Sequence, residues 1–135
     1  MSTAAVVLDA SALLAYLQDE PGAEFVADAI ALGAAMSTVN VAEVLSRAAD
    51  RDVDPGRLLD DLAARGLLGA AIDVEPLTTS DAIDVARLRP LTRAAGLSIA
   101  DRACIALARR LGSRALTADT AWVDLAVDVE LTQIR

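Results

Sequence analysis

Short apolar runs alternate along this chain with longer segments whose apolar residues recur at helical spacing. The first run, residues 5–8, is apolar throughout, as expected for a strand that is covered on both faces. Alternation of this kind predicts an α/β fold in which helices cover both faces of a mostly parallel sheet. The predicted strands are residues 5–8, 34–37, 72–75, 114–117 and 127–131.

Helical patterns fill the intervals between these strands. Asp54 and Pro55 are suited to begin one helix, and Thr79 or Ser80 is suited to cap the next. Pro90 is expected to kink or end that second helix. The predicted helices are residues 11–18, 23–32, 41–51, 55 to 66 or 69, 79 or 80 to 95, and 99–111, with a helical turn at 119–125.

The length and composition predict a single domain over residues 1–135, because domains commonly contain about 100–150 residues. Hydrophobic residues make up 55% of the chain and aromatic residues only 2%, so the core must consist of Leu, Val, Ile and Ala. The chain has no histidine and no lysine, since all twelve of its basic residues are arginine. This composition excludes Ser-His-Asp and Cys-His catalysis, His-ligated zinc, and Schiff-base chemistry.

The net charge of −8 argues against non-specific binding to nucleic acids or anionic membranes. A bound divalent ion can reverse this argument locally, because it is often the largest charge in its neighbourhood. No basic segment precedes the first apolar run, so we expect no signal peptide. Cys104 is the only cysteine, which suits a reducing compartment, and we expect a cytoplasmic protein without a membrane segment.

Four acidic residues are expected near the carboxyl ends of the strands. Asp9 closes the first strand, Glu43 lies on the helix after the second, Asp101 opens the helix before the fourth, and Asp119 follows the fourth. If the first, second and fourth strands are neighbours, these acids converge in the crevice where such sheets bind ligands. Crowded carboxylates need protons or a cation, and oxygen ligands alone favour Mg²⁺ or Mn²⁺. Such an ion suits the hydrolysis of a phosphodiester.

Each acid also has a structural interpretation as a helix cap. Asp9 and Asp119 both precede helical segments, and residues 40–43 and 98–101 each fit a capping box. Sixteen of the twenty acids lie elsewhere in the chain, so spacing alone does not separate the two interpretations.

Four segments resemble, in order, the motifs of PIN-domain ribonucleases, particularly the VapC-type toxins of bacterial toxin–antitoxin pairs. They are residues 6–15 (VVLDASALLA), 37–45 (STVNVAEVL), 97–104 (LSIADRAC) and 116–122 (LTADTAW). Each motif alone is weak, but four in this order over essentially the whole chain are fairly specific.

The resemblance implies a three-layer α/β/α fold with a sheet of about five strands. It also implies an endoribonuclease that depends on Mg²⁺ or Mn²⁺ and cuts structured RNA, such as transfer or ribosomal RNA, to arrest translation. The implied catalytic and metal-binding residues are Asp9, Glu43, Asp101 and Asp119, and those implied to hold these carboxylates in place are Ser11, Asn40 and Thr117. The implied partners are a small VapB-like antitoxin whose tail covers the crevice and a second copy of the chain, in a homodimer or a toxin–antitoxin hetero-oligomer.

Several arginines have two interpretations. Arg102 follows Asp101, and Arg47 lies one helical turn after Glu43, so each is a candidate to bind the scissile phosphate. The alternative for Arg47 is a surface ion pair with Glu43. A set of three further arginines is suited either to follow an RNA backbone or to form a solvated helix face, and it consists of Arg109, Arg110 and Arg114.

Cys104 and Trp122 are expected in the core, since apolar residues surround the first and no catalytic base accompanies it. A group of leucines exceeds what one buried stripe needs, which suggests either an interaction surface or a fully covered helix; it consists of Leu58, Leu59, Leu62, Leu67 and Leu68. The main alternative function is a non-catalytic PIN-like interaction module. A phosphoaspartate enzyme built on Asp9 is disfavoured, because such sites generally need a lysine.

Overall fold

The computed structural model describes residues 4–135, and residues 1–3, on which the expected absence of a signal peptide partly depends, lie outside that range. The described chain contains five strands, six α-helices and one short 3₁₀ helix. The strands are β1 (Val6–Leu8), β2 (Ala34–Ser37), β3 (Ile72–Glu75), β4 (Arg114–Thr117) and β5 (Leu131–Gln133). The helices are α1 (Ala10–Leu17), α2 (Ala23–Leu32), α3 (Thr38–Asp50), α4 (Pro55–Ala64), α5 (Thr79–Thr92) and α6 (Ile99–Leu111), and the 3₁₀ helix is Thr120–Trp122.

The five strands form one parallel sheet in the order β3-β2-β1-β4-β5. β1 lies at its centre, with Val7 opposite Ala35 of β2 and Leu8 opposite Leu116 of β4. The predicted parallel sheet of about five strands is therefore confirmed. The carboxyl ends of β1, β2 and β4 lie side by side, which was the condition for the candidate acids to converge.

Alternating side chains of the sheet enter two separate hydrophobic layers. Val6 and Leu8 pack with α1, α2 and α4, whereas Val7 packs with α5 and α6. This alternation follows from the two-residue period of a strand, and it gives the expected three-layer arrangement. No helix among residues 4–135 is both long and apolar enough to cross a lipid bilayer.

Helix α3 begins earlier than the sequence pattern predicts. Ser37 ends β2 and also caps α3, because its hydroxyl accepts a hydrogen bond from the backbone amide of Val39 at 3.2 Å. The predicted start at residue 41 and the predicted capping box from Asn40 to Glu43 are wrong, since Asn40 already lies inside the first turn. The capping box from Ser98 to Asp101 is confirmed.

Two other element boundaries differ from the prediction. The last strand is Leu131–Gln133 and not residues 127–131, because pairing with β4 places Leu131 opposite Ala115. Helix α5 is capped by Thr78, continues through Pro90 and ends at Thr92. The cap precedes the two predicted positions, and the helix ends before the predicted residue 95.

The core contains Cys104, Trp122 and three of the five leucines singled out in the sequence. Cys104 and Trp122 are both fully buried, as predicted. Among the leucines, Leu62, Leu67 and Leu68 are buried, whereas Leu59 is exposed. Only Leu62 of the buried leucines lies on α4, because Leu67 and Leu68 follow the end of that helix, so the helix is covered on one face and not fully.

Candidate functional site

Asp9 lies at the carboxyl end of β1 and is almost completely buried, with 3% of its surface exposed. Its Oδ1 atom accepts hydrogen bonds from the Ser11 hydroxyl at 2.7 Å and from the Ala12 amide at 2.8 Å. Its Oδ2 atom accepts a hydrogen bond from the Thr117 hydroxyl. Three donors therefore hold this carboxylate, and one of its roughly four acceptor directions, on Oδ2, is left for another partner.

The two hydroxyls that hold Asp9 are themselves oriented by the backbone after β4. The Ser11 hydroxyl accepts from the Ala118 amide at 2.9 Å, and the Thr117 hydroxyl accepts from the Asp119 amide at 3.0 Å. Each hydroxyl thus accepts a hydrogen bond from a backbone amide and donates one to Asp9. This arrangement connects β1 to the end of β4 and favours the ionised form of Asp9.

Burial acts against that ionised form. Desolvation raises the pKa of Asp9 from 3.8 to about 6, although the hydrogen bonds from Thr117, Ser11 and Ala12 lower it. The negative charge of Asp101 also contributes to this rise in the pKa of Asp9. Asp9 is therefore a carboxylate that an additional positive charge would stabilise.

Glu43 lies on α3 and is half-buried beside Asn40. The Asn40 side-chain amide donates to Glu43 Oε1 at 3.3 Å and to the backbone carbonyl of Ala100 at 3.0 Å. Asn40 consequently connects the Glu43 side chain to the first turn of α6. Desolvation raises the pKa of Glu43, the Asp101 charge raises it further, and Asn40 and the Arg47 charge lower it.

Asp101 lies in the first turn of α6, next to Ala100. One of its oxygens, Oδ2, accepts from the Ser98 amide at 2.9 Å, while the Ser98 hydroxyl accepts from the Asp101 amide at 3.1 Å. The charge of Asp101 acts on both Asp9 and Glu43. The structure therefore brings Asp9, Glu43 and Asp101 into one electrostatically coupled group on three different elements.

Asp119 is placed differently from the other three acids. It is exposed and caps the 3₁₀ helix, where its Oδ1 atom accepts from the Ala121 amide at 2.9 Å. It is linked to the group through its backbone, because its amide donates to Thr117. The Asp119 side chain therefore acts as a helix cap in this structure, and its role in catalysis stays a prediction.

The structure separates the two candidate phosphate-binding arginines. Arg47 is exposed on α3, and its charge acts on Glu43 through space. Arg102 is buried, and its guanidinium donates to the backbone carbonyls of Val85 and Ser98. The expected phosphate contact of Arg102 is therefore corrected, because its Nε and Nη1 atoms donate to backbone carbonyls inside the protein.

The three other candidate arginines have intramolecular partners. Arg109 pairs with Asp84 and Asp128, and Arg110 pairs with the buried Asp81 at 3.0 Å. Arg114 lies 5.7 Å from the centroid of the Phe25 ring. These contacts favour structural roles over an RNA-binding track.

The group of acids fits a hard cation by its donor atoms, since all of them are oxygen. Among residues 4–135, no three acidic or thiol side chains are arranged as a complete metal site. Hydrogen bonds to Asn40 and Ser98 hold the half-buried Glu43 and Asp101 in their present positions. The Asn40 side-chain oxygen is buried without a hydrogen-bond partner in the described chain, so a further polar group is needed beside this group.

An apolar groove that was not predicted from the sequence lies between the C-terminal halves of α1 and α3 and the start of α4. Its volume is about 240 Å³. The groove is lined by Leu14, Leu17, Gln18, Val44, Arg47, Ala48, Arg51, Val53 and Leu58. The signal in the sequence was the recurrence of apolar and basic residues on α3, but their location in a groove depends on how α1 packs.

Comparisons with known proteins agree on the family and the fold. A model of the PIN domain matches residues 6–128. No curated protein sequence matches the chain.

Three solved structures share the fold at low sequence identity. A toxin-antitoxin complex from Klebsiella pneumoniae has a TM-score of 0.71 at 17% identity, covering 96% of this chain and 98% of the other. DNA-bound VapBC from Salmonella typhimurium has a TM-score of 0.71 at 14% identity, with coverage of 96% and 98%. FitAcB from Neisseria gonorrhoeae has a TM-score of 0.69 at 20% identity, with coverage of 96% and 97%.

Proposed function

The chain belongs to the PIN domain family, and from this premise we propose that it is a metal-dependent endoribonuclease. PIN domains are generally nucleases, and they typically use divalent metals. The observation that carries the proposal is the coupled group of Asp9, Glu43 and Asp101 at the carboxyl edge of the sheet. The negative charge of Asp101 raises the pKa of both Asp9 and Glu43, and a divalent cation stabilises carboxylates crowded in this way.

Asp9 and Asp101 are the proposed direct ligands, with Glu43 as a further ligand or as the group that orients the attacking water. A bound Mg²⁺ or Mn²⁺ would supply an acidified water and would offset the charge on the phosphodiester. Ser11 and Thr117 keep the Asp9 carboxylate ionised and fixed, and Asn40 holds Glu43 beside α6. Asp119 is proposed to contribute directly or through water.

The proposed substrate is structured cellular RNA, such as transfer or ribosomal RNA, cut in the cytoplasm to arrest translation. The likeness to a toxin-antitoxin complex and to VapBC supports the role of a toxin. The net charge of −8 repels RNA when the ion is absent. The same ion that enables cleavage is therefore proposed to enable most RNA binding.

Incubating the purified chain with total transfer and ribosomal RNA tests the activity. Cleavage at discrete positions is expected with Mg²⁺ or Mn²⁺, no cleavage is expected in EDTA, and excess Mn²⁺ should restore it. Filter binding in the same buffers should show that EDTA also removes most RNA binding. Full cleavage in EDTA would exclude this mechanism.

We also propose that a small antitoxin binds this chain, in a homodimeric or hetero-oligomeric assembly. The apolar groove between α1 and α3 supports this partner, because the basic Arg47 and Arg51 lie among mostly apolar lining residues. An amphipathic segment with apolar residues and carboxylates would complement both features.

Val53→Asp is expected to weaken the complex with the antitoxin at least about tenfold, because it introduces a charge into the contact. Val53 lines the groove and is 45% exposed, so the change should leave the core intact. Calorimetry with the small protein encoded beside this gene measures the effect. The control is Leu32→Asp on α2, an exposed apolar residue outside the groove. Equal affinities of the two variants would remove the groove from the interface.

One observation favours a second function, that of a non-catalytic interaction module. Within residues 4–135 the acids do not form a complete metal site as they stand. Calorimetry with Mn²⁺ separates the two functions, because a module requires no specific ion. Saturable binding that Asp9→Asn abolishes supports the nuclease, whereas wild-type protein that takes up no Mn²⁺ supports the module.

A further inference from the structure

Arg102 is a buried cation in the first turn of α6, directly after Asp101, with 7% of its surface exposed. Its Nη1 atom donates to the Val85 carbonyl at 2.9 Å, and its Nε atom donates to the Ser98 carbonyl at 3.3 Å. Both partners are uncharged backbone groups. Burying a charge in this way is unfavourable, so an arginine needs a reason at a position where an apolar side chain would pack.

One of these contacts leads directly to Asp101. Ser98 is the residue that caps α6, and its amide holds the Oδ2 atom of Asp101. Because Arg102 binds the carbonyl of the same residue, it fixes the backbone that orients the Asp101 carboxylate. Ser98 itself is exposed and follows the connection from α5, so hydrogen bonds hold it in place, and its carbonyl also accepts the helical hydrogen bond from the Arg102 backbone amide at 3.1 Å.

The other hydrogen bond of Arg102 joins α6 to helix α5. Val85 lies in the buried face of α5, and Pro90 interrupts the hydrogen-bond ladder just beyond it, because proline has no N–H to offer the carbonyl of Ala86. Arg110 binds the buried Asp81 at the far end of the same helix pair. Helix α6 is thus joined to α5 near both of its own ends, and Arg102 forms the contact next to Asp101.

The hydrogen bonds of Arg102 go to backbone carbonyls and not to the carboxylates of the acids. Its guanidinium donates toward α5, whereas the arginine whose charge acts on Glu43 is Arg47. We propose that Arg102 is a positioning residue, which clamps the capping turn of α6 between Ser98 and Val85 and thereby orients Asp101 for the metal. The role at the metal rests on the proposed function, whereas the clamp itself is a property of the metal-free chain.

The test compares Arg102→Met, which keeps the apolar stem, with Arg109→Met. Arg109 lies on the same helix and also contacts α5, through Asp84, but at the end away from Asp101. Calorimetry with Mn²⁺ alone should show about tenfold weaker binding for Arg102→Met, since groups that orient metal ligands contribute about 10–100-fold to affinity. Arg109→Met should bind within about twofold of wild type. Excess Mn²⁺ should restore RNA cleavage by Arg102→Met, because the chemistry is unchanged.

Hydrogen exchange provides a readout that needs no metal. In EDTA, the amides of Ser98 and Asp101 should exchange faster in Arg102→Met than in wild type, while those in the first turn of α3 should not change. Arg102→Lys, which keeps the charge and one donor, should recover part of both effects, and it serves in place of Arg102→Met if that variant does not fold.

Wild-type Mn²⁺ affinity in a folded Arg102 variant would overturn the positioning role. Unchanged exchange at Ser98 and Asp101 would overturn the clamp. If the wild-type chain itself bound no Mn²⁺, the proposed function would fail, and the exchange rates would still decide whether Arg102 holds this turn.

Discussion

Replacing Asp9 with asparagine is expected to lower the rate of RNA cleavage by at least about 100-fold. Asp9 is the most buried of the coupled acids and has one acceptor direction left for a cation. The substitution removes the negative charge and turns one of the two oxygens into a hydrogen-bond donor. Since groups that only support metal ligands contribute about 10–100-fold, a direct ligand should contribute at least as much.

The fold should survive this change, because every hydrogen bond of the site has a substitute. The new side-chain oxygen accepts from Ser11 and Ala12, as Asp9 Oδ1 does. The new amide donates to the Thr117 hydroxyl, which turns to donate to the Ser11 hydroxyl 3.3 Å away. Circular dichroism should therefore match that of wild type.

Asp28→Asn is the matched control, because Asp28 is exposed on α2, a helix that carries none of the candidate acids. It should cleave RNA at the wild-type rate. Wild-type cleavage by Asp9→Asn would show that the activity comes from another site or from a contaminating nuclease.

The second large effect is on the stability of the metal-free protein. The pKa of Asp9 is about 6 in the folded chain and 3.8 as its ordinary value. Between these values the folded protein keeps a proton that the unfolded chain has lost. The stabilisation is complete below the lower value and is lost as the pH rises through the higher one. The full loss is about 3 kcal/mol in the free energy of unfolding.

Asp9→Asn cannot ionise and should not show this loss. Urea unfolding in EDTA at pH 5 and pH 7.5 avoids the isoelectric point near 4.3 and covers about half of the effect. Over that range, wild type should lose about 1.4 kcal/mol more than Asp9→Asn. Other titrating groups, including Glu43, contribute to both proteins and largely cancel in the difference.

If wild type and Asp9→Asn lost the same free energy of unfolding between pH 5 and pH 7.5, burial would not raise the pKa of Asp9 in the folded protein. Adding Mn²⁺ at pH 7.5 provides an internal check. It should stabilise the wild type and leave Asp9→Asn unchanged, because only an ionised Asp9 gains from the cation.

The parallel sheet and the candidate acids near its carboxyl edge could be predicted from the sequence because both depend on local patterns. Residues 5–8 read as a covered strand and Asp9 as its end, and the order of the motifs supplied the rest. Strand β5 was misplaced because apolar and acidic residues alternate over residues 127–131, as in a half-buried strand, and only the pairing of Leu131 with Ala115 decides between the two positions. Local pattern does not contain that pairing.

The errors at the site have the same origin. Asn40 fits a helix cap by its neighbours, but its side chain contacts the carbonyl of Ala100, sixty residues away. Arg102 follows an acid and suggests a phosphate contact, but its partner is the carbonyl of Val85 on another helix. In both cases the deciding contact joins distant parts of the chain.

The burial of Cys104 has a practical consequence. It is the only thiol in the chain, it is completely enclosed beneath the acids, and burial raises its pKa well above its ordinary value. The thiolate is the nucleophile that displaces the leaving group of an alkylating reagent, so Cys104 can be modified only during transient opening of the interior. The rate at which iodoacetamide labels Cys104, measured by mass spectrometry, therefore reports how often the interior opens. A lower labelling rate in the presence of an antitoxin or an ion would show how far that ligand suppresses the opening.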